Sequence, residues 1–77
     1  MKIEYDAEAN ALYIALREVP VADTNEVTDR LIIDLDDAGQ PIGIEILRVR
    51  ELLGSQDLAR LTVENLLGEA AGKPTSG

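Results

Sequence analysis

Four carboxylates crowd one short stretch of the chain: Asp34, Asp36, Asp37 and Glu45. Set against the twelve-residue loop that binds calcium in helix–loop–helix proteins, Asp34 and Asp36 fall at positions 1 and 3, Gly39 at position 6 and Glu45 at position 12. The match fails at position 5, where Ala38 offers no ligand, and at position 8, which is Pro41. The flanking segments also alternate like strands, whereas such a loop sits between helices. Asp34, Asp36 and Glu45 therefore stand as candidate metal ligands, or as a carboxylate pair for acid–base work in a small metal-dependent or carboxylate-based enzyme. The simpler reading places Asp34 and Asp36 on the solvent face of a strand, with Asp37 opening a turn.

Most other chemistry lacks a necessary member. The 77 residues contain no Cys, no His, no Trp and no Phe. Thiol nucleophiles, disulfides, imidazole metal sites and Ser-His-Asp triads are thereby excluded. No catalytic residue can be assigned, and no cofactor is expected. Seven Lys+Arg against fifteen Asp+Glu give a net charge of −8, which argues against nucleic acid and against anionic membrane surfaces. No apolar run approaches the ~20 residues of a membrane span, and Met1-Lys2-Ile3-Glu4 does not read as a secretion signal. A small soluble protein of the cytoplasm is the expectation.

The elements that must position these residues read mostly as strands. Ile3 and Tyr5 alternate with Lys2 and Glu4, and Asp6 to Asn10 carries turn formers. In Ala11 to Arg17, Leu12, Ile14 and Leu16 share one face while Ala11, Tyr13 and Ala15 share the other, which favours a strand over a competing helix. Val19-Pro20-Val21 belongs at an edge or in a loop, because Pro20 has no N–H to donate. Thr24 to Thr28 reads as a short strand, and Leu31 to Asp36 as a stronger one. The turn Asp37 to Gln40 contains an even number of residues, so Leu31, Ile33 and Leu35 share a face with Ile42, Ile44 and Ile46 of the returning strand.

After Leu47 the period changes. Arg48 to Leu53 fits a helical turn ending at Gly54, and Ser55 can cap a second segment starting Gln56-Asp57. Thr62-Val63-Glu64 admits either a strand or a third helix. The predicted fold is α+β: an antiparallel β-meander of four to five strands followed by one or two short C-terminal helices. Residues 1–71 would form one domain and residues 72–77 a disordered tail.

Two separated blocks resemble a known family. Met1-Lys2-Ile3-Glu4-Tyr5-Asp6 with Ala9-Asn10-Ala11-Leu12-Tyr13-Ile14 form the first; Leu31-Ile32-Ile33-Asp34-Leu35-Asp36, Gly39 and Ile42-Gly43-Ile44-Glu45-Ile46-Leu47 form the second. Together they are similar to the small prokaryotic Domain of Unknown Function 2283, over about residues 1–50. Arg30-Leu31 stands before Ile32, where that family often has Gly. The resemblance implies a short, acidic protein with no established catalytic residues. Some members lie beside genes resembling small toxins, which implies antitoxin-like partner binding.

Size adds a physical expectation. A chain of 77 residues with neither disulfide nor obvious metal gains buried area most readily by association, so a homodimer is expected. On the face opposite Leu12 and Ile14, Tyr13, Ile32 and Leu47 are the candidate interface residues, with Leu66 and Leu67 as C-terminal arms. A heterologous protein partner, if any, would be basic. Arg30 is expected to pair with Glu45, and Arg48 and Arg50 with Glu51.

Overall fold

A computed structural model describes residues 1–64. Its five strands are β1 (Lys2–Asp6), β2 (Ala11–Ala15), β3 (Asp23–Glu26), β4 (Leu31–Leu35) and β5 (Pro41–Leu47). They form one fully antiparallel sheet in the order β1-β2-β5-β4-β3. A 3₁₀ turn over Val49–Glu51 and a four-residue helix, α1 (Ser55–Leu58), follow. The architecture is mostly β; of the expected C-terminal helices, one helical turn of each kind is present among the described residues.

Five strands are present, at the upper end of the expected four to five. β3 runs Asp23–Glu26 instead of Thr24 to Thr28, which leaves Val27 outside the strand. The order is not that of a meander. The longest strand, β5, lies at the centre between β2 and β4, and β3 lies at an edge. The reason is composition. Asp23-Thr24-Asn25-Glu26 has no apolar side chain to contribute to a central position, and each of its four residues is exposed. Its polar groups suit an edge, where they discourage pairing with another chain. The strand richest in isoleucine takes the centre.

Residues 16–22 make the required crossing along one end of the sheet. The backbone N–H of Leu16 donates to the Ile42 carbonyl at 2.8 Å, and that of Ala22 donates to Leu35 at 2.8 Å. A register shift between Asp34 and Leu35 pairs Leu35 with Pro41 and leaves Ile42 as the extra residue. Ile42 is one of the few buried side chains, at 2% exposure.

Each hairpin turn opens on a side-chain oxygen that accepts from backbone N–H groups ahead of it. Asp6 Oδ1 accepts from Glu8 and Ala9, each at 3.1 Å. Thr28 Oγ1 accepts from Arg30 at 3.1 Å and Leu31 at 3.0 Å. Asp36 Oδ1 accepts from Ala38 at 2.9 Å and Gln40 at 2.8 Å. Gly39 takes the left-handed conformation, with φ at 78°.

The register sorts the sheet into two unlike faces. On one, Ile3, Ile14, Ile44 and Ile33 form a row across β1, β2, β5 and β4, ending at Asn25. A second row runs Tyr5, Leu12, Ile46, Leu31 beside it. On the other face the corresponding row is Glu4, Tyr13, Glu45, Ile32, Glu26. The grouping of Leu12, Ile14, Leu31, Ile33, Ile44 and Ile46 is the one that the alternation predicts.

The segment after β5 docks onto the β1–β2 turn. Asn10 holds a left-handed φ of 55°; its carbonyl accepts from Val49 N–H at 3.1 Å and its Oδ1 accepts from Arg50 N–H at 2.9 Å. Arg50 Nη1 donates to the Ala7 carbonyl at 2.9 Å and to the Tyr5 hydroxyl at 3.2 Å, in place of the expected pairing with Glu51. Glu51 instead meets Arg30 at 2.7 Å and Arg48 at 3.8 Å, so Arg30 is directed away from Glu45. Gly54 occupies the α1 N-cap, the place expected for Ser55, with Asp57 Oδ2 accepting its N–H at 3.2 Å. Residues 62–64 are neither strand nor helix.

Asn10 serves this junction twice, through its backbone conformation and its side chain. Asn10→Ala is expected to lose about 1–2 kcal/mol of stability in denaturant titration. Asn10→Gly, which keeps the left-handed backbone and loses only the side-chain bond, should lose less. Equal losses would mean that backbone conformation contributes nothing.

Candidate functional site

The acidic face is organised by Tyr13. In register it stands opposite Glu45, but its ring leans diagonally over β5 at Gly43. A Cβ at position 43 would lie 2.0 Å from the Tyr13 hydroxyl and 2.6 Å from Cζ, so only glycine fits beneath the ring. The hydroxyl thereby reaches β4, where it donates to Asp34 Oδ2 at 2.8 Å. Thr24 Oγ1 on β3 donates to the other oxygen, Asp34 Oδ1, at 3.2 Å. Side chains from β2, β4 and β3 are linked in one line across β5.

This arrangement sets the protonation of the phenol. The hydrogen bond to Asp34 comes first; burial and the neighbouring carboxylates of Asp34, Glu45 and Glu4 add to it, and all raise the Tyr13 pKa above its ordinary 10.0. A pKa raised in the folded state means a stabilising contribution present in full below pH ~10 and lost as pH rises through the folded value.

The remaining predicted residues are dispersed around this line. Asp36 sits in the β4–β5 turn, where the Gln40 N–H leads in lowering its pKa, with Arg17 and the Ala38 N–H also contributing against an opposing desolvation. It pairs with Arg17. Glu45 lies in the row between Tyr13 and Ile32. Asp34, Asp36 and Glu45 are thus not gathered into one ligand set: among the described residues no three His, Cys, Asp or Glu side chains are placed to hold a metal ion. Nor do the candidate contact residues form one patch. Glu45 separates Tyr13 from Ile32, while Leu47 lies in the next row opposite Ala11. Leu66 and Leu67 lie outside the described residues.

Beside Tyr13 is an open cleft of about 570 Å³ between the sheet and the β1–β2 turn. Glu4, Asp6, Glu8 and Glu45 line it, and no basic side chain does. It presents carboxylates beside the Tyr5 and Tyr13 side chains, and its charge repels phosphates and other anions. The apolar face carries a different recess, of about 220 Å³, where Ile3, Leu12 and Ile14 meet Leu53, Leu58 and Leu61. Sequence reasoning passed over the Tyr13–Asp34 link because a diagonal reach across a neighbouring strand depends on lateral strand order. The glycine inside an otherwise β-branched strand was the available signal.

The chain is a single antiparallel sheet with one acidic, polar-bridged face and one aliphatic face. It belongs to a family of proteins of unknown function, DUF2283, whose model matches residues 2–50, the span that includes all five strands and the 3₁₀ turn as far as Arg50. No curated protein and no solved structure matches it significantly. No helix among the described residues is long and apolar enough to cross a membrane.

Two outcomes check the bridge. Gly43→Ala should cost about 1–3 kcal/mol by overpacking. The same substitution in a Tyr13→Ala background should cost much less, a coupling measurable in a double-mutant cycle. In a Tyr5→Phe variant, ultraviolet titration should place the Tyr13 phenol above 10, with Asp34→Asn moving it back down. An unchanged titration on removing the Asp34 charge would discard the bridge as the cause.

Proposed function

We propose that this protein is a self-associating protein-interaction module, homodimeric in its working form. The observation that carries the reading is the scarcity of interior. Ala11, Ile42 and Val49 are the only buried hydrophobic side chains among the described residues. Every residue of β4, and Ile44 and Ile46 of β5, is only half-buried. Domains are ordinarily built from two packed layers around a core, and among the described residues the second layer consists of one short helix at one end. Association is the usual way for so small a chain to complete a core.

A second protein partner is compatible with the acidic face. With net charge −8 and a carboxylate-lined cleft, that face favours encounter with a basic surface, and antitoxin-like partner binding is the role the family resemblance implies for it. The alternative, a metal-dependent or carboxylate-based enzyme at Asp34, Asp36 and Glu45, has less behind it. Both oxygens of Asp34 are already engaged, and Asp36 is turned to its own loop and to Arg17.

The reading is tested by absolute mass from light scattering behind a sizing column. A mass near twice 8.3 kDa is expected at moderate concentration, with dissociation on dilution. A mass of 8.3 kDa at every concentration would contradict it.

A further inference from the structure

Resting on that reading of self-association, we propose that two copies pack face to face through their isoleucine rows, forming the two layers of a β-sandwich. The contact is thus assigned to the face of Ile14, Ile33 and Ile44, and the Tyr13 face is left outward on both sides of the dimer.

Three observations point to a second copy as the occupant. The first is what the chain itself can supply. The α1 segment reaches only the β1–β2 end of the face, through Leu53, Leu58 and Leu61. Ile33 and Ile44, at the middle of the face, are not among the residues that meet this segment in the recess.

The second observation is the distribution of charge. The charged residues at the inner positions of the strands, Glu4, Asp34 and Glu45, all lie on the opposite face. On the isoleucine face the polar side chains stand at its two ends: Asn25 and Asp23 on edge strand β3, opposite Ile33 and Leu35, and Tyr5, Asp57 and Arg60 at the β1–β2 end. Two strongly acidic chains can therefore meet over the middle of this face. The carboxylates of Glu4, Asp34 and Glu45 then lie on the far side of each sheet and those of Asp23 and Asp57 at the margins, which the Tyr13 face does not permit. A two-fold contact requires a self-complementary surface, and the aliphatic middle of this face, Ile14, Ile44 and Ile33, is one.

The third is area. Five strands about 4.8 Å apart and about five residues long give a footprint on the order of 400 Å². The exposed Leu61 and Leu53 extend it at the β1–β2 end. That is below the ~600–800 Å² per partner of a standard stable interface and in the range of a weak contact that dissociates on dilution. Two such faces pack about 10 Å apart in aligned sandwiches.

The absence of native cysteine provides a clean probe. Single-cysteine variants at adjacent positions on opposite faces, Ile44→Cys with Glu45→Cys and Ile33→Cys with Ile32→Cys, are labelled with a maleimide from dilute to concentrated protein while mass is measured in parallel. Cysteine is small and apolar, so the sheet is retained; circular dichroism verifies this, and a folded Ile44→Cys variant that alone fails to dimerise also supports the proposal. The expected result is a fall in labelling rate of about tenfold at positions 44 and 33 as the dimer forms, with 45 and 32 unchanged. A dimer in which 44 and 33 stay reactive, or in which 45 and 32 become protected instead, overturns the face assignment while leaving self-association standing. A monomer at all concentrations removes both, and protection of 44 and 33 in that monomer would mean the chain covers its own face.

Discussion

A sheet one layer thick cannot bury its own apolar face, and that constraint governs the rest of this molecule. Two rows of side chains, aliphatic but for Tyr5, cross four strands in register, yet among the described residues the layer opposite them is a short helical segment at one end. Cross-strand pairs such as Ile14–Ile44 and Ile44–Ile33 shield one another from the side. They leave their tips to whatever lies above. Among the described residues the hydrophobic contribution that normally dominates folding is incomplete, and the proposed association is the account of what completes it.

The opposite face solves a different problem. Its carboxylates need water or partners, and its one large aromatic is fastened down instead of being left to attract strangers. Gly43 gives the Tyr13 ring a channel across the central strand; Asp34 takes the hydroxyl; Thr24 secures Asp34 from the edge. The result is a polar brace spanning β2 to β3 on the side that faces solvent. Turn residues Asp6, Thr28 and Asp36 repeat the same economy at the hairpins, satisfying backbone N–H groups with a local side chain. The acidic character of the surface follows from this division, with charge on one side and isoleucine on the other.

Alternation along the sequence was enough to reveal the strands and to assign Leu12, Ile14, Leu31, Ile33, Ile44 and Ile46 to one face, because side-chain period and loop parity are local properties. Lateral order was not legible in that way. Parity says which residues share a face but not which strands are neighbours, and the meander expectation put the all-polar Asp23–Glu26 strand in the middle. The decisive clue was its lack of any apolar residue, weighed against the isoleucines of β5. The Tyr13 bridge was missed for the same reason, since it joins β2 to β4 only when β5 lies between them. Judging Tyr13, Ile32 and Leu47 as one patch treated the face as flat, whereas Glu45 interrupts it. Arg30 and Arg50 found partners in a segment beyond the sheet, which strand patterns do not describe.

If association completes the core, folding and dimerisation are one equilibrium, and the midpoint of chemical denaturation must depend on protein concentration. The account predicts a midpoint that climbs steadily with concentration, each tenfold increase adding about 1.4 kcal/mol of apparent stability by mass action. A cooperative transition whose midpoint is the same at every concentration would show that the single layer is stable alone, and would contradict the account at its centre.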